Sequence, residues 1–161
     1  MIMLTALFTA LVAAGAFIRI PMVPVPVTLQ TLFVFMAGLL LPVQYSAASI
    51  ALYMFLGAVG LPIFTSGGGL AALLSPTGGF IFGFLLAVIV GSLMAKKKHD
   101  SFLYNVLIML VMEVITYAIG LPWLKVKIHA TWAKTFSVGL TPFILGDTLK
   151  MLVAAGASRI L

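Results

Sequence analysis

Long apolar runs with hardly any charge between them occupy almost the whole sequence, and they constrain the fold more than any other feature. Apolar residue types make up 63% of the 161 residues, whereas charged residues make up only 7%. In a soluble domain about a quarter of the residues are charged, because charged side chains keep its surface hydrated. The three acidic residues of this chain cannot supply such a surface. The sequence therefore predicts an integral membrane protein.

The length of the chain limits how many helices can cross the membrane. A helix needs about 20 residues to span the hydrocarbon, so six helices would use about 120 residues. We therefore expect an all-α integral membrane protein, with residues 1–161 forming one domain, a compact bundle of six transmembrane helices with irregular outer loops. A bundle of five helices is the alternative. Because the chain has no cysteine, disulfides and thiolate sites are excluded.

The basic residues lie mainly at the ends of the apolar runs and give the chain a net charge of +6. Anionic lipid headgroups are expected at these positions. The charge therefore predicts membrane lipid as a partner and does not call for nucleic acid. The cluster Lys96–Lys98 and Arg159 favour a cytoplasmic fourth connection with both termini inside. Because Lys125, Lys127 and Lys134 then lie outside, this preference is mild.

The first half of the chain has one clear helix and one ambiguous stretch. Residues Met1–Ile18 are predicted to form a retained helix, because a cleaved signal peptide would begin with basic residues that are missing here. The segment Arg19–Gln30 contains three prolines and is predicted to be an extended loop. Leu29–Val59 is either one very long helix or two short helices broken near Leu41–Gln44, where proline favours a reversal.

The second half alternates between helices and segments of other character. Turn-forming residues fill Gly60–Gly79, and helices are predicted for Phe80–Ala95 and Ser101–Ile119. Leu121–Ser137 interleaves two tryptophans with lysines, which is typical of an interfacial segment. The sixth helix is predicted for Gly139–Leu161.

Two charged residues lie inside the last apolar run, where they are least expected. Asp147 and Lys150 are three residues apart, so they share one face of a helix. A charge within a span costs a few kcal/mol, and by default it marks a polar interior site. Either the two groups only neutralise each other, with Lys150 reaching toward the interface, or they bind a ligand. We favour the ligand site.

Glu113, near the middle of the fifth predicted helix, is the only other acidic residue expected within the membrane. A structural role is one interpretation, with Glu113 paired to Lys150 or protonated. A second is that Glu113 and Asp147 form the acid–base pair of a small membrane enzyme, but no nucleophile, metal set or cofactor motif accompanies them. A channel would need a continuous polar lining, for which the chain has too few ionisable groups. We therefore expect a protein that captures a solute and has no catalytic residue and no metal site.

Two irregular segments, Arg19–Gln30 and Gly60–Gly79, are expected at the same outer face as the charged pair. Irregular backbone at membrane depth is tolerated where it is buried in protein or lines a cavity. Gly67–Gly69 would allow the backbone to approach a ligand closely. These segments and the Asp147 face are therefore predicted to converge on one binding site.

Small residues recur every fourth position in the first helix, at Ala6, Ala10 and Ala14. Such a stripe lets another helix approach closely. The partner is either a helix of the same bundle or a separate protein. The sequence contains no G-x-x-x-x-G-K-[ST] motif, so the chain cannot hydrolyse ATP through a P-loop of its own.

Four segments together resemble BioY, the family of biotin-specific substrate-binding subunits (S components) of energy-coupling factor (ECF) transporters. These segments are PVPVTLQTLFVFMAGLLL (Pro24–Leu41), YMFLGAVGLPIFTSGGG (Tyr53–Gly69), SPTGGFIFGF (Ser75–Phe84) and PFILGDTLKMLVA (Pro142–Ala154). They occur in the family's order and cover nearly the whole chain.

The resemblance implies high-affinity biotin capture and uptake across the cytoplasmic membrane of a prokaryote. The implied partners are the transmembrane coupling (T) subunit of an ECF transporter and a pair of ABC ATPases. ATP would be used by those partners, and this chain would need no cofactor. The alternatives are an S component for a different vitamin and the small membrane enzyme.

The resemblance also implies roles for particular residues. The family's acid and lysine of helix six fall on Asp147 and Lys150, and the small-residue stripe of helix one would face the coupling subunit. Either Asp147 would accept the ureido N–H groups of biotin while Lys150 bonds its carbonyl, or Lys150 would meet its carboxylate. The other ligand-contacting residues that we predict are Thr28 and Gln30 from the first loop, Thr65 or Ser66 from the second, Arg19 as an alternative carboxylate partner, and Phe33, Tyr53, Phe64 and Phe80 as apolar walls.

Overall fold

The computed structural model describes residues 1–96 and 101–158, and within these ranges the chain is mostly helical. This confirms the predicted all-α class. Lys97, Lys98 and Arg159, which bear on the predicted orientation, lie outside the described residues. The elements are α1 (Ile2–Phe17), β1 (Arg19–Ile20), β2 (Val27–Thr28), α2 (Gln30–Leu40), α3 (Val43–Ala58), α4 (Leu70–Leu73), α5 (Gly78–Ala95), α6 (Phe102–Lys127), α7 (Trp132–Gly139) and α8 (Ile144–Ala157).

The ambiguous stretch of the first half forms two helices, α2 and α3, as the second of the two interpretations predicted. The break falls at Leu41, whose backbone is extended at φ −101° and ψ 142°. Pro42 follows and occupies the N-cap of α3. Because the residue before a proline is excluded from helical geometry by its ring, α2 ends there and the chain reverses.

The fifth predicted helix is longer than expected, and the prediction that Leu121–Ser137 is one interfacial segment is wrong. Helix α6 continues through Pro122 to Lys127. A proline inside a helix removes one hydrogen bond, but the two residues that follow Pro122 are tightly packed. Leu124 is fully buried, and Trp123 lies so close to Gly79 that even a methyl group there would clash with it.

The last predicted helix, Gly139–Leu161, begins later than expected. Its first residue, Gly139, ends α7, and α8 begins only at Ile144, with 46° between the two axes. Pro142 explains the break, because the residue before a proline avoids helical geometry. As a consequence Asp147 lies in the first turn of α8, nearer the helix N-terminus than an unbroken helix would place it.

Helix α5 is the centre of the bundle. It packs against α2, α3 and α6, whereas α1 covers α2 and α3, and α8 lies against α2 and α6. Close approach of α5 to α6 requires Gly83, since a Cβ there would stand 2.9 Å from the Thr116 Cα. Buried hydroxyls link the helices further, with Thr9 donating to the Ser49 carbonyl at 2.9 Å and Ser46 bonded to Ser92 at 2.7 Å.

The two irregular segments meet at one end of the bundle. The first contains a small hairpin, in which β1 and β2 pair antiparallel with Arg19 opposite Thr28. Val25 in this hairpin is buried in a small apolar cluster that includes Phe80 and Phe143. The hairpin is thereby anchored over the N-terminal ends of α5 and α8.

Two of the described helices, α5 and α6, are long and apolar enough to cross a membrane alone, and the bent pair α7 and α8 is a candidate for a third crossing. Helices α1, α2 and α3 are apolar but shorter, at 10–17 residues. Shorter helices can cross where the bilayer thins locally. The number of six spans stays a prediction, whereas a multi-pass membrane protein agrees with the apolar helices.

Candidate binding site

The charged pair of α8 lies at the centre of a hydrogen-bonded network that three helices supply. Lys150 Nζ lies 2.8 Å from Asp147 Oδ1, and both side chains are buried. Thr31 of α2 accepts from Lys150 at 3.0 Å and donates to Asp147 Oδ1 at 3.0 Å. Tyr117 of α6 donates to Asp147 Oδ2 at 2.7 Å. The position of Asp147 in the first turn also favours its negative charge, because helix N-termini are electropositive.

This network nearly saturates its two charged members. A carboxylate offers about four lone-pair sites, and the donors Lys150, Thr31 and Tyr117 fill three of those on Asp147. An ammonium group has about three donors, and two of those on Lys150 are used by Asp147 and Thr31. About one valence remains free on each group. The predicted pairing of Lys150 with Glu113 is not formed.

Glu113 faces the same network from α6 but is not part of it. It is 6% exposed, and neither carboxyl oxygen has a hydrogen-bond partner. Asp147 and Tyr117 are close enough to interact with it electrostatically. A buried polar group without a partner is costly and therefore requires an explanation.

A cavity opens beside the charged pair. Its volume is about 540 Å³ when the space at its open mouth is included, within the range of ligand pockets. Its enclosed part has room for only a few water molecules. The walls combine aromatic and aliphatic side chains with a small number of polar groups, which is typical of ligand sites. The residues that line it are Val25, Pro26, Thr28, Gln30, Thr31, Thr65, Thr77, Phe80, Ile81, Phe84, Glu113, Thr116, Tyr117, Phe143, Asp147 and Lys150.

The two irregular segments form the mouth of the cavity. The Arg19 guanidinium donates to the Thr65 carbonyl and so joins the hairpin to the second loop. Outside this contact lies a shallower depression, whose lining includes Arg19, Ser66 and Thr77. The second loop turns sharply at Gly67 and Gly69, where φ is 110° and 91°. Only glycine adopts such angles without strain.

The structure brings most of the predicted site residues together. Asp147, Lys150, Thr28, Gln30, Thr65 and Phe80 line the cavity. Arg19 and Ser66 lie in the outer depression instead.

The predicted apolar walls Tyr53, Phe64 and Phe33 are not among the residues that line the cavity, and contact of these residues with the ligand stays a prediction. Tyr53 is fully buried, and its hydroxyl accepts from Gln30 Nε2 at 2.7 Å and donates to the Ile63 carbonyl at 3.2 Å. The Phe64 ring packs edge-on against Tyr53, with 5.3 Å between the centroids. An alternating or helical pattern cannot distinguish a core aromatic residue from one that lines a cavity. Tyr53 and Phe64 support the site by holding Gln30 and the second loop.

Sequence reasoning missed several polar lining residues. Tyr117 and Thr116 follow Glu113 at spacings of four and three residues, which places them on one helix face. That spacing was a usable signal. Thr31 follows the predicted Gln30 directly, and no pattern marks it, because its role depends on how α2 packs against α8.

The small residues Ala6, Ala10 and Ala14 all lie on the exposed side of α1. The inner face of the same helix is formed by residues such as Phe8 and Val12. The stripe is therefore not used for packing within this bundle and remains available to a partner. Within the described ranges no group of His, Asp and Glu side chains could hold a metal ion.

Comparison with known proteins gives consistent results over almost the full chain. The model of the BioY family matches residues 1–161. A biotin transporter BioY of Thermotoga maritima is 43% identical over 150 residues, which cover 92% of this chain and 88% of that protein. A probable biotin transporter BioY of Pyrococcus horikoshii is 39% identical over 153 residues, covering 94% and 89%. The crystal structure of the S component for biotin from an ECF-type ABC transporter superposes with a TM-score of 0.86 at 28% identity, covering 98% of this chain and 87% of that one.

Proposed function

This chain belongs to the BioY family, and on that premise we propose that it is the substrate-specific subunit that captures biotin for uptake by an ECF-type transporter. The observation that carries the proposal is the match to the biotin S component over 98% of the chain. The cavity lies beside the one ion pair between described residues. The family consists of transporter subunits and not of enzymes, which argues against the alternative of a small membrane enzyme.

Biotin has the chemistry that this cavity offers. Its ureido ring has two N–H donors and one carbonyl acceptor, and its bicyclic body is apolar. The unused donor of Lys150 is available to a carbonyl or a carboxylate. Phe80, Phe84 and Phe143 supply apolar walls for the rings and the aliphatic chain.

Entry of biotin would require the mouth to open. The enclosed part of the cavity holds only a few water molecules, which is less than a bicyclic vitamin needs. The hairpin Arg19–Thr28 is held to the second loop chiefly at its base, through Arg19 and Thr65. We expect the hairpin to move away from the second loop when biotin enters.

Uptake would further require partners that supply energy. The chain has no P-loop, so ATP would be hydrolysed by a pair of ABC ATPases that act through a transmembrane T subunit. The exposed stripe Ala6, Ala10 and Ala14 is the surface that we assign to this T subunit. The setting would be the cytoplasmic membrane of a prokaryote.

A thermal-shift screen of the purified chain against water-soluble vitamins tests the proposal. A ligand that binds the folded state raises the melting temperature with its concentration. We expect biotin to raise it and the other vitamins to leave it unchanged. If another vitamin raised the melting temperature and biotin did not, that vitamin would be the substrate instead of biotin. If no vitamin produced a shift, the proposed function would be wrong.

A further inference from the structure

The acidic residue that the sequence singles out, Asp147, has little acceptor capacity left for a ligand. Asp147 already accepts hydrogen bonds from Lys150, Thr31 and Tyr117. These three donors belong to the protein itself, so the carboxylate is largely satisfied before any ligand arrives. Its main effect is to hold Lys150 and Tyr117 in place.

Glu113 is in the opposite condition. Glu113 is only 6% exposed, and neither of its carboxyl oxygens has a hydrogen-bond partner. It lines the cavity beside Asp147, and it also lines a second, almost wholly apolar groove between α6, α7 and α8. The carboxyl group is thus surrounded by apolar side chains on one side and by the candidate site on the other.

A ligand with N–H donors would satisfy this group. An unpaired buried acceptor destabilises the folded protein, and a new hydrogen bond to it removes that cost. The donors of biotin are confined to its ureido ring, because its ionised carboxylate has none.

We infer that Glu113 is a ligand-contacting residue that accepts the ureido N–H groups of biotin, and that the ureido ring lies at the α6 side of the cavity. This inference rests on the proposed function. It assigns Asp147 a positioning role and leaves the unused donor of Lys150 for the ureido carbonyl.

A purely structural role makes different predictions. If Glu113 were a neutral acid that donates to Asp147, it would stabilise the free protein, and its removal would lower the melting temperature without biotin. If Glu113 instead has no hydrogen-bond partner until a ligand binds, its replacement with leucine removes an unpaired buried carboxyl group from the free protein. In that case the melting temperature without biotin stays equal or rises.

The experiment compares Glu113→Leu, Glu113→Gln and the control Leu107→Ala, which lies on the exposed side of the same helix. Biotin affinity is measured by calorimetry in detergent, and melting temperature is measured without biotin. We expect Glu113→Leu to weaken biotin at least about tenfold and to melt no lower than the wild type. Glu113→Gln keeps one oxygen acceptor and should lose less biotin affinity than Glu113→Leu. The control Leu107→Ala should bind biotin with wild-type affinity. Wild-type affinity in Glu113→Leu, or a lower melting temperature that Glu113→Gln restores, overturns the inference.

A second measurement tests which end of biotin meets Glu113. The same proteins are titrated with biotin amide, in which the carboxylate is replaced by a neutral group. If Glu113 contacts the ureido ring, Glu113→Leu weakens biotin and biotin amide by the same factor. A factor that differs between the two ligands would place Glu113 at the tail and overturn the assignment. A wild-type chain that fails to bind biotin defeats the proposed function itself, whereas normal binding by both proteins defeats only the role of Glu113.

Discussion

The burial of the charged side chains of Asp147 and Lys150 requires a physical explanation. Their exposures are 3% and 8%, and a buried ion pair contributes little net stability because both charges lose their hydration. Removing one partner, however, leaves the other charge buried and uncompensated, which costs about 3–5 kcal/mol. The pair is therefore weak evidence for stability and better evidence for a site.

Single and double replacements of the pair separate its structural role from its binding role. We expect Asp147→Asn and Lys150→Ala each to lower the melting temperature and to weaken biotin at least tenfold, about 1.4 kcal/mol. The double variant Asp147→Asn with Lys150→Met has no uncompensated charge and should regain stability, but not affinity. Calorimetry and thermal unfolding measure the two effects.

Leu145→Ala is the matched control, because this residue is on the same helix and 80% exposed. It should change neither property. Full biotin affinity in the double variant would mean that the pair serves the fold alone.

At the scale of elements, one face of α1 is free while the other is buried. The exposed stripe Ala6, Ala10 and Ala14 presents no bulky side chains, so a partner helix can approach its backbone. This geometry differs from that of α5, where the small residue Gly83 is used inside the bundle. The two helices use the same kind of residue for an external and an internal contact.

Ala10→Trp tests the external contact. A large ring in the middle of the stripe should keep a partner helix at a distance, but it points away from the cavity. We expect normal biotin affinity and reduced copurification with the T subunit and the ATPases. Leu103→Trp, at an exposed position of α6, is the control and should copurify normally. Intact copurification of Ala10→Trp would show that the stripe is not the docking surface.

Gly83→Ala tests the internal contact between α5 and α6. The added methyl group would stand 2.9 Å from the Thr116 Cα, and backbone cannot move aside as a flexible side chain would. Overpacking of this kind costs about 1–3 kcal/mol, so the melting temperature should fall. Because Thr116 lines the cavity, biotin affinity should fall as well. Leu86→Ala, at an exposed position of α5, should affect binding little, and equal loss in both variants would contradict this explanation.

At the scale of the whole molecule, the site exists because two loops far apart in sequence close over one end of the bundle. Arg19 and Thr65 are 46 residues apart, yet the guanidinium of the first donates to the carbonyl of the second. The hairpin is further anchored by Val25 among Phe80 and Phe143. Opening the site therefore requires separation of contacts that belong to three parts of the chain.

Arg19→Ala should loosen the mouth without altering the charged pair. We expect faster release of bound biotin, measured with radiolabelled vitamin and unlabelled competitor, because one contact between the loops is lost. Arg19→Lys keeps a donor on a long side chain. It should release biotin faster than the wild type and more slowly than Arg19→Ala. An unchanged release rate in Arg19→Ala would show that this contact does not hold the mouth closed.

The sequence alone determined the class of the protein and the identity of its charged site. A chain with long apolar runs and only 7% charged residues requires a membrane, because water would not hydrate the apolar surface that such a chain exposes. The spacing of Asp147 and Lys150 places both on one helix face whatever the fold, since that depends only on helical geometry. The break at Leu41 and Pro42 is similarly local, because the proline ring acts on its immediate neighbour.

Contacts between distant segments were decided only by the tertiary structure. Helix α6 passes Pro122 because Trp123 and Leu124 are packed against other elements, and packing is not encoded in the local pattern. Tyr53 is a core residue and Phe80 a cavity wall, although both are aromatic residues in apolar runs. The lack of a hydrogen-bond partner for Glu113 was likewise decided by the tertiary structure. Whether a buried carboxyl group has a partner depends on every helix that surrounds it.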